Sequence, residues 1–352
     1  VLLVISVRIR RTMHESPAFE QLRAKKQLSQ SPLRETFLAW RNVKRLLVAF
    51  FGICGGMACV YYTAVLYPNF FLTQTLKVDP QEATAVVTLG TLTCIPLFPA
   101  SGWLCDRFGR KPVLLTGFAL VLLTLFPIFN AITNNANAEL GRAQDAAPVV
   151  IETSVNSCSF MFNPIGSRKF TSACDVAKQS LTQLGVSYDV RPSANGQTSI
   201  LFGKTPRMAS IATTGLPALE AINATKVFQG QLRTALVSAG YPQKAHPDAL
   251  NKPILLLLLV VLLSYMALTL VPSTLILVEM FPTRIRYTSM SFPYHLASGW
   301  IGGLLPTITF AMAAQNGNSY FGLCYPMAWV AVSFVIALVF LKETRGTDLD
   351  RD

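Results

Sequence analysis

The sequence predicts an all-α membrane protein with six transmembrane helices and one soluble insert that combines helices and strands. Of its 352 residues, 51% are hydrophobic and 14% are charged, whereas soluble proteins usually carry about 25% charged residues. Six uncharged segments have about the 20 residues that a helix needs to cross a bilayer. Lysines and arginines cluster at the ends of these segments, as the positive-inside rule expects.

The net charge of +12 alone could indicate a nucleic-acid partner. The basic residues, however, flank the apolar segments and do not form one soluble face. We therefore expect the lipid bilayer as a partner and no nucleic acid.

The chain begins with seven apolar residues followed by Arg8, Arg10 and Arg11. Seven residues cannot cross a bilayer, and the basic cluster follows the apolar run, unlike in a signal peptide. We expect residues 1–7 to be the tail of a truncated transmembrane helix.

Residues 8–45 form a basic segment that we expect to be a cytoplasmic linker. Ser16-Pro17 and Ser31-Pro32 each have the residue types that start a helix. Leu33, Phe37 and Trp40 would then share one helical face, as in short helices on a membrane surface. A disordered, charged connector is the alternative.

The transmembrane helices are expected in two groups of three, within residues 46–132 and 253–341. Their predicted bounds are Leu46–Leu66, Ala83–Leu104, Val113–Ile132, Ile254–Val278, Met290–Met312 and Phe321–Leu341.

The distribution of basic residues over the loops predicts the orientation. The linker, the turn at 105–112, the turn with Arg284 and Arg286, and the tail at 342–352 are basic. The alternate short loops hold one basic residue, Lys77. Both ends of this chain should therefore be cytoplasmic in a plasma membrane, which for a bacterium is the inner membrane.

Residues 133–252 are too long and too polar for a plain connector, and the orientation places them outside the cytoplasm. Helices are expected at Ala173–Leu184 and Pro217–Ala239, and strands at Val186–Val190 and Thr198–Phe202. This pattern indicates a small α/β insert, which could gate, bind a partner, protect the surface or have no specific role.

Cys158 and Cys174 both lie in the insert, where an outside location would be oxidising. We expect them to form a disulfide that closes a loop of about 17 residues and contributes about 3 kcal/mol in the chain-entropy model. The other five cysteines lie in or beside apolar segments without metal-ligand spacing, so we predict no metal site.

The turn between the second and third predicted helices carries the most specific motif. It reads Gly102-x-x-x-Asp106-Arg107-x-Gly109-Arg110-Lys111 and resembles the G-x-x-x-D-R-x-G-R-[KR] loop of the major facilitator superfamily of transporters. A positive-inside turn without a further role is the alternative.

Three further strings extend the resemblance. Residues 279–286, Glu-Met-Phe-Pro-Thr-Arg-Ile-Arg, are similar to a string that closes the tenth helix in many family members. Residues 343–346, Glu-Thr-Arg-Gly, resemble the string after the last helix. Residues 14–19 resemble the central linker of the metabolite–proton symporter branch. The resemblance implies the C-terminal six-helix half of a twelve-helix fold, with the N-terminal half as a missing partner.

The motif residues are expected to act as a conformational latch. Asp106 would pair with Arg107 or Arg110 and hold the cytoplasmic side closed. Gly109 would adopt a backbone angle that other residues avoid, and Gly102 would let a neighbouring helix approach. The expected latch residues are Gly102, Asp106, Arg107, Gly109, Arg110, Lys111, Glu279, Arg284 and Arg286. For Glu279, the alternative to a functional role is an ordinary structural salt bridge to Arg284 or Arg286.

Polar groups within the predicted helices are the candidates for solute and proton contact. Tyr61 and Tyr62 could line a solute path, although tyrosines at helix ends also form an ordinary interfacial belt. His295 could take part in proton transfer or solute binding, or simply pack with a hydrogen bond. No catalytic set or cofactor motif is present, so we do not expect an enzyme.

The sequence therefore predicts transport of a small polar or anionic metabolite by alternating access. Coupling to protons follows from the resemblance of the linker alone. Two alternatives remain open: a membrane sensor that binds its ligand through the insert, and an inactive truncated transporter.

Overall fold

The computed structural model describes residues 2–12, 20, 24, 29–154, 157–163, 169–193, 195–203 and 207–346. The Ser16-Pro17 helix start and the string at 14–19 lie outside these residues. So does the end of the predicted tail, 347–352.

Within the described residues, six helices are long and apolar enough to cross a membrane. We number them as the first to sixth spans: Trp40–Val65, Pro80–Phe108, Arg110–Ala136, Lys252–Met280, Arg286–Asn316 and Phe321–Phe340. Each overlaps one predicted segment, which confirms the predicted all-α membrane architecture.

The second span is longer than the predicted segment at both ends. Its first turn begins at Pro80, whose missing N–H is not needed there. Asp79 caps the helix, because its Oδ1 accepts a hydrogen bond from the Gln81 backbone N–H at 2.9 Å. The polar residues Gln81 and Glu82 therefore belong to the helix and not to a loop.

The bundle is held mainly by the long third and fourth spans, which pack side by side. Phe118 and Phe129 of the third span are fully buried at their interface with neighbouring helices. The first and sixth spans approach so closely that the Gly56 backbone N–H donates to Ser333 Oγ at 2.8 Å. That hydroxyl in turn donates to the Phe51 carbonyl at 2.6 Å, so it joins two helices inside the membrane.

Three wide π-helical turns interrupt the regular helices, and such turns bend a helix. They occupy Phe50–Cys54 in the first span, Phe71–Thr75 after the short helix Tyr67–Phe70, and Ala297–Gly302 in the fifth span. The bends lie in and beside the first and fifth spans, which are neighbours.

Two helices precede the first span in the described residues: Leu2–Thr12, which runs from the predicted tail at 1–7 into the linker, and Pro32–Leu38 in the linker. Leu33 and Trp40 do not share one helical face, because the backbone is extended at Ala39 and Trp40 already begins the first span. The Phe37 ring packs edge-on against Phe292 at a centroid distance of 4.9 Å. The second linker helix therefore rests on the fifth span.

The insert contains a four-stranded sheet in the order β2-β1-β3-β4. The strands are β1 (Val149–Thr153), β2 (Tyr188–Pro192), β3 (Ser199–Phe202) and β4 (Met208–Ala209). β1 runs parallel to β2, while the β1–β3 and β3–β4 pairs are antiparallel. The sequence did not indicate β1, and β2 begins two residues later than expected.

The described part of the insert also contains three α-helices, Ala138–Ala146, Ala173–Gln183 and Ala218–Ser238, and a short 3₁₀ turn at Pro247–Ala249. The helix Ala173–Gln183 connects the parallel strands β1 and β2. Cys174 lies in its first turn, is fully buried and forms a disulfide with Cys158. These are the two cysteines that the sequence singles out.

The insert docks on the end of the fifth span and on the loop that follows it. The Tyr188 backbone N–H donates to the Gly317 carbonyl at 2.8 Å, and the Tyr188 hydroxyl donates to the Ala314 carbonyl. Gly317 has a φ of 90°, and any side chain there would overlap with the carbonyl of Tyr188. The Met161 N–H adds a bond to Gln315 Oε1 at 2.8 Å.

The insert also holds the loop between the first and second spans. Lys77 Nζ donates to the Gln183 carbonyl at 2.6 Å, and Asn137 Nδ2 donates to the Leu76 carbonyl at 2.9 Å. Burial lowers the pKa of Lys77 to about 8, and the nearby charge of Arg233 acts in the same direction. The insert thus bridges two loops at one end of the bundle, opposite the turn at Gly109.

Candidate functional site

The turn between the second and third spans depends on Gly109. This residue has a φ of 101°, which side chains strongly disfavour. A Cβ atom built on it would lie 2.6 Å from Glu343 Oε2. Glu343, in the tail after the sixth span, can therefore contact this turn only if position 109 is a glycine.

Glu343 caps the start of the third span from the far end of the chain. Its carboxylate accepts from the backbone N–H groups of Arg110 at 2.9 Å and Lys111 at 3.0 Å. The N–H groups of Thr344 and Arg345 donate to the same carboxylate. Burial acts to raise the pKa of Glu343, but these four hydrogen bonds outweigh it and hold the pKa below its ordinary value.

Arg110 is the centre of the charged network. Its guanidinium lies 3.1 Å from Glu279 Oε1 and 3.4 Å from Asp106 Oδ1. The side chains of Arg110 and Glu279 are each 14% exposed, whereas Asp106 is 75% exposed. Since water weakens exposed ion pairs, Glu279 is the stronger partner of Arg110. A salt bridge from Glu279 to Arg284 or Arg286 was the alternative, and the ion pair of Glu279 is with Arg110 instead.

Two further side chains, those of Thr344 and Lys111, extend this network. Thr344 Oγ1 donates to Glu279 Oε2. Lys111 Nζ donates to the carbonyls of Leu338 and Leu341 at 2.9 and 2.7 Å, at the end of the sixth span. We call Asp106, Arg110, Lys111, Glu279, Glu343, Thr344 and Arg345 the latch network.

Arg345 completes the latch network at the second span. Its Nη1 donates to the Arg107 carbonyl at 2.8 Å. Cations are favourable at these positions because the C-terminus of a helix carries a partial negative charge. The latch network therefore joins the second, third, fourth and sixth spans at one end of the bundle.

Four residues expected in the latch have other environments. Arg107 places its guanidinium over the rings of Trp103 and Phe108. Arg284 pairs at 2.9 Å with Glu35 of the linker. The remaining two positions, Arg286 and Gly102, also differ from the expectation.

Arg286 Nε donates to the Phe281 carbonyl at 3.1 Å, so it stabilises the turn between the fourth and fifth spans. Among the described residues, no atom lies within 4 Å of the point where a Cβ of Gly102 would be. The close helix approach expected at Gly102 is therefore not formed by the described part of this chain.

The two tyrosines proposed to line a solute path are neighbours, with ring centroids 5.3 Å apart. Tyr62 packs on Gly302 of the fifth span, where a side chain would overlap its ring. Tyr61 is 36% exposed. Of this pair, Tyr61 is the residue that reaches the surface of the bundle.

His295 is exposed on the fifth span. Its ring lies edge-on to the Tyr294 ring at a centroid distance of 5.4 Å. Within the described residues, it makes no hydrogen bond or ion pair. The packing role with a hydrogen bond that the sequence also allowed is therefore not observed.

A row of hydroxyls on the second span was missed by the sequence analysis. Thr84, Thr88 and Thr91 are all exposed, and their i, i+4, i+7 spacing places them on one helical face. This spacing is visible in the sequence and could have identified the row. The second span is also the least buried of the six.

Within the described residues, no group of three or more His, Cys, Asp or Glu side chains is placed to hold a metal ion. The acidic residues of the spans, Glu82, Asp106 and Glu279, all lie at helix ends. The arrangement can therefore close one end of a bundle and present hydroxyl groups along its side.

Six spans and a charged network across their ends define a multi-pass membrane protein. The comparisons with known proteins agree. Residues 4–140 match the family model described as Major Facilitator Superfamily, and residues 230–351 match that described as Sugar (and other) transporter. Over these two segments the chain is similar to transporters of the major facilitator kind.

Curated relatives are transport proteins, and the chain spans less than a third of their length. It is 33% identical over 137 residues to the shikimate transporter of Escherichia coli, covering 38% of this chain and 30% of that protein. It is 38% identical over 100 residues to the inner membrane metabolite transport protein YhjE of the same organism, covering 28% and 22%.

A third relative is the alpha-ketoglutarate permease of Escherichia coli, 25% identical over 134 residues, which cover 38% of this chain and 29% of the permease. No solved structure gives a significant match. The matched families and relatives are transporters and not enzymes.

Proposed function

We propose that the complete protein carries a small polar or anionic metabolite across the bacterial inner membrane, in symport with protons. The names of two relatives designate shikimate and alpha-ketoglutarate, and both of these compounds are small carboxylates. This chain supplies one six-helix bundle of that transporter.

The latch network is the observation that carries the proposal. It ties four spans together through Arg110, Glu279 and Glu343, and the last of these lies on the tail after the sixth span. Opening this end of the bundle requires the partly buried Arg110–Glu279 pair to separate. Because a separated pair must be solvated again, the network sets the free-energy difference between a closed and an open state.

The exposed hydroxyl groups on the second span support the proposal that a second six-helix bundle packs against this one. The hydroxyls of Thr84 and Thr88 would each cost free energy if they faced lipid without partners, whereas the Thr91 hydroxyl donates to the Val87 carbonyl at 2.9 Å. Tyr61 and His295 are exposed on neighbouring spans. We propose that a second bundle covers this side, that the hydroxyls line a solute path between the bundles, and that the principal proton carrier lies in the second bundle.

The topology that accompanies this proposal has the insert outside and both ends of the chain cytoplasmic. Its support is the basic character of the linker, the turn at Gly109 and the tail. Single cysteines at Arg107, Arg345 and Lys244 test it with a membrane-impermeant thiol reagent on intact cells. Labelling should occur at position 244 only, and labelling at 107 without cell lysis would contradict the topology.

Uptake measurements test the transport proposal. In the complete protein, Glu279→Gln should reduce uptake of a carboxylate metabolite at least tenfold, because Arg110 loses its buried partner. Asp106→Asn should have a smaller effect, since Asp106 is 75% exposed. A protonophore should abolish accumulation by the unmodified protein.

The matched control is Glu220→Gln, which removes an exposed carboxylate from the insert and should leave uptake unchanged. All variants must reach the membrane in equal amounts, as measured by immunoblotting. Equal uptake by the Glu279→Gln variant and the unmodified protein would refute the latch. Undiminished accumulation with a protonophore would refute proton coupling.

A further inference from the structure

A cleft of about 530 Å³ opens beside the latch network, between the start of the first span and the end of the sixth. Four cationic side chains line it: Arg41, Lys44, Arg45 and Lys342. Two carboxylates also reach it, those of Glu279 and Glu343. None of the four cations belongs to the latch network.

The positive charge in the cleft is not neutralised by the two carboxylates. Glu279 is bound to Arg110 and Thr344, and Glu343 to four backbone N–H groups. Within the described residues, no ion pair is formed by any of the four cations. Lys44 Nζ lies over the Trp40 ring, 5.3 Å from its centroid. Because the indole ring is uncharged, this contact does not neutralise the positive charge of Lys44.

The position of three of these cations makes the excess charge more unfavourable. Arg41, Lys44 and Arg45 lie in the first two turns of a helix that has no acidic residue in its first turn and no side-chain cap. The N-terminus of a helix carries a partial positive charge, so it repels cations and attracts anions. An anion bound in the cleft would therefore be stabilised by both the side chains and the helix end.

One wall of the cleft is apolar. Val48, Met280 and Phe340 form it, and Phe340 is 64% exposed. The outward face of the sixth span continues from there with Val335 and Val339, which are also exposed. An apolar helix face of this kind contacts acyl chains in a bilayer.

We propose that this cleft binds the phosphate headgroup of an anionic phospholipid, whose acyl chains lie along the sixth span. Arginine offers several N–H donors in a planar arrangement that matches phosphate oxygens, and lysine adds point charges. A free phosphate would satisfy the cations but leave the apolar wall without a contact. The combination of cations and an exposed apolar wall therefore favours a lipid.

Binding of short-chain phosphatidylglycerol to the purified 352-residue chain in neutral detergent tests the proposal. The triple variant Arg41→Gln, Lys44→Gln, Arg45→Gln should bind it at least tenfold more weakly, because each cation near a lipid surface contributes to binding. The control triple variant Arg191→Gln, Lys226→Gln, Lys244→Gln removes the same charge from the insert and should bind normally.

Lys342→Gln provides a second variant in case the triple variant does not fold, since Lys342 is exposed after the last span. The affinity of the Lys342→Gln variant for phosphatidylglycerol should fall about fivefold. Phosphatidylcholine, which has no net charge, should bind weakly to every variant.

The source of the phosphate is decided by competition. Inorganic phosphate at millimolar concentration should fail to displace phosphatidylglycerol, and displacement would assign the cleft to a soluble phosphate compound instead. Equal binding of phosphatidylglycerol to the cleft variants and to the control variant would overturn the proposed site.

Discussion

Gly102 and Gly109 belong to one sequence motif, but their surroundings place opposite demands on them. Gly109 has a backbone conformation that favours glycine and a carboxylate where a side chain would be. Gly102 lies in a regular helix with free space around it among the described residues. The same residue type is thus required at one position and tolerated at the other by this chain.

Gly109→Ala should destabilise the chain by about 1–3 kcal/mol, because alanine strains the backbone and displaces Glu343. Gly102→Ala is the matched control and should be neutral or stabilising by up to about 1 kcal/mol. Thermal unfolding in detergent measures both. A loss of stability at position 102 equal to that at 109 would contradict this account of the turn.

Glu343 makes stability depend on pH. Its pKa is lower in the folded chain than its ordinary value of 4.5, so the folded state favours the ionised form. Its contribution is complete above about pH 4.5 and is lost as the pH falls through the lowered pKa.

The Glu343→Gln variant should therefore be less stable than the unmodified chain at pH 7, with a difference that shrinks below about pH 4.5. Unfolding midpoints across about pH 3–7 measure this difference. Glu220→Gln, at an exposed site, should show no such convergence. A constant difference across the whole range would mean that Glu343 does not act as an ionised cap.

Single residues could be assigned from the sequence where their partners are close along the chain. The Asp106–Arg110 pair is one helical turn apart and was expected. The partners of Arg110 on Glu279 and Glu343 come from distant segments, 233 residues away in the case of Glu343. Sequence spacing does not determine such contacts, so the role of Glu343 was missed and Arg110 was not predicted as the partner of Glu279.

At the scale of elements, the spans were predictable because an uncharged apolar run of about 20 residues matches the thickness of a bilayer and is uncommon in soluble domains. Their ends were less accurate, as at Asp79-Pro80, where polar residues lie within the helix. Strand β1, Val149–Thr153, was missed although it is as long as β2, and Pro148 before it and Ser154 after it are residues typical of turns. A strand of this kind is defined mainly by the neighbours with which it pairs.

The insert helix Ala173–Gln183 is tied to the preceding loop by the Cys158–Cys174 disulfide. This loop also contributes Met161, whose N–H donates to Gln315 at the end of the fifth span. The double variant Cys158→Ser, Cys174→Ser should lower the stability of the insert by about 3 kcal/mol, because the open loop gains conformational entropy on unfolding.

Protease sensitivity of residues 137–251, with the spans protected by detergent, measures this effect. Cys324→Ser is the control, since Cys324 is a free cysteine in the sixth span. Identical digestion of the double variant and the unmodified chain would show that the disulfide contributes little to the insert.

At the scale of the whole molecule, the two ends of the bundle are closed by different means. At one end, the insert holds the end of the fifth span and the loops that follow the first and fifth spans, mainly through hydrogen bonds that pair a side chain with a backbone group. At the other end, charged side chains of the latch network join four spans. Ionic contacts between side chains can be separated with little change in the helices, so we expect the charged end to be the one that opens.

The sequence predicted the presence of the insert but not its attachment to the bundle, because the hydrogen bonds of Tyr188 and Lys77 join segments that are far apart along the chain.

The cap that Glu343 forms on the third span has a consequence for synthesis of the chain on the ribosome. The ribosome makes Arg110 233 residues before Glu343, which at about 5–20 residues per second leaves the first amides of the third span uncapped for about 10–50 s. During this interval the nascent third span must be stabilised by water, lipid headgroups or the insertion machinery.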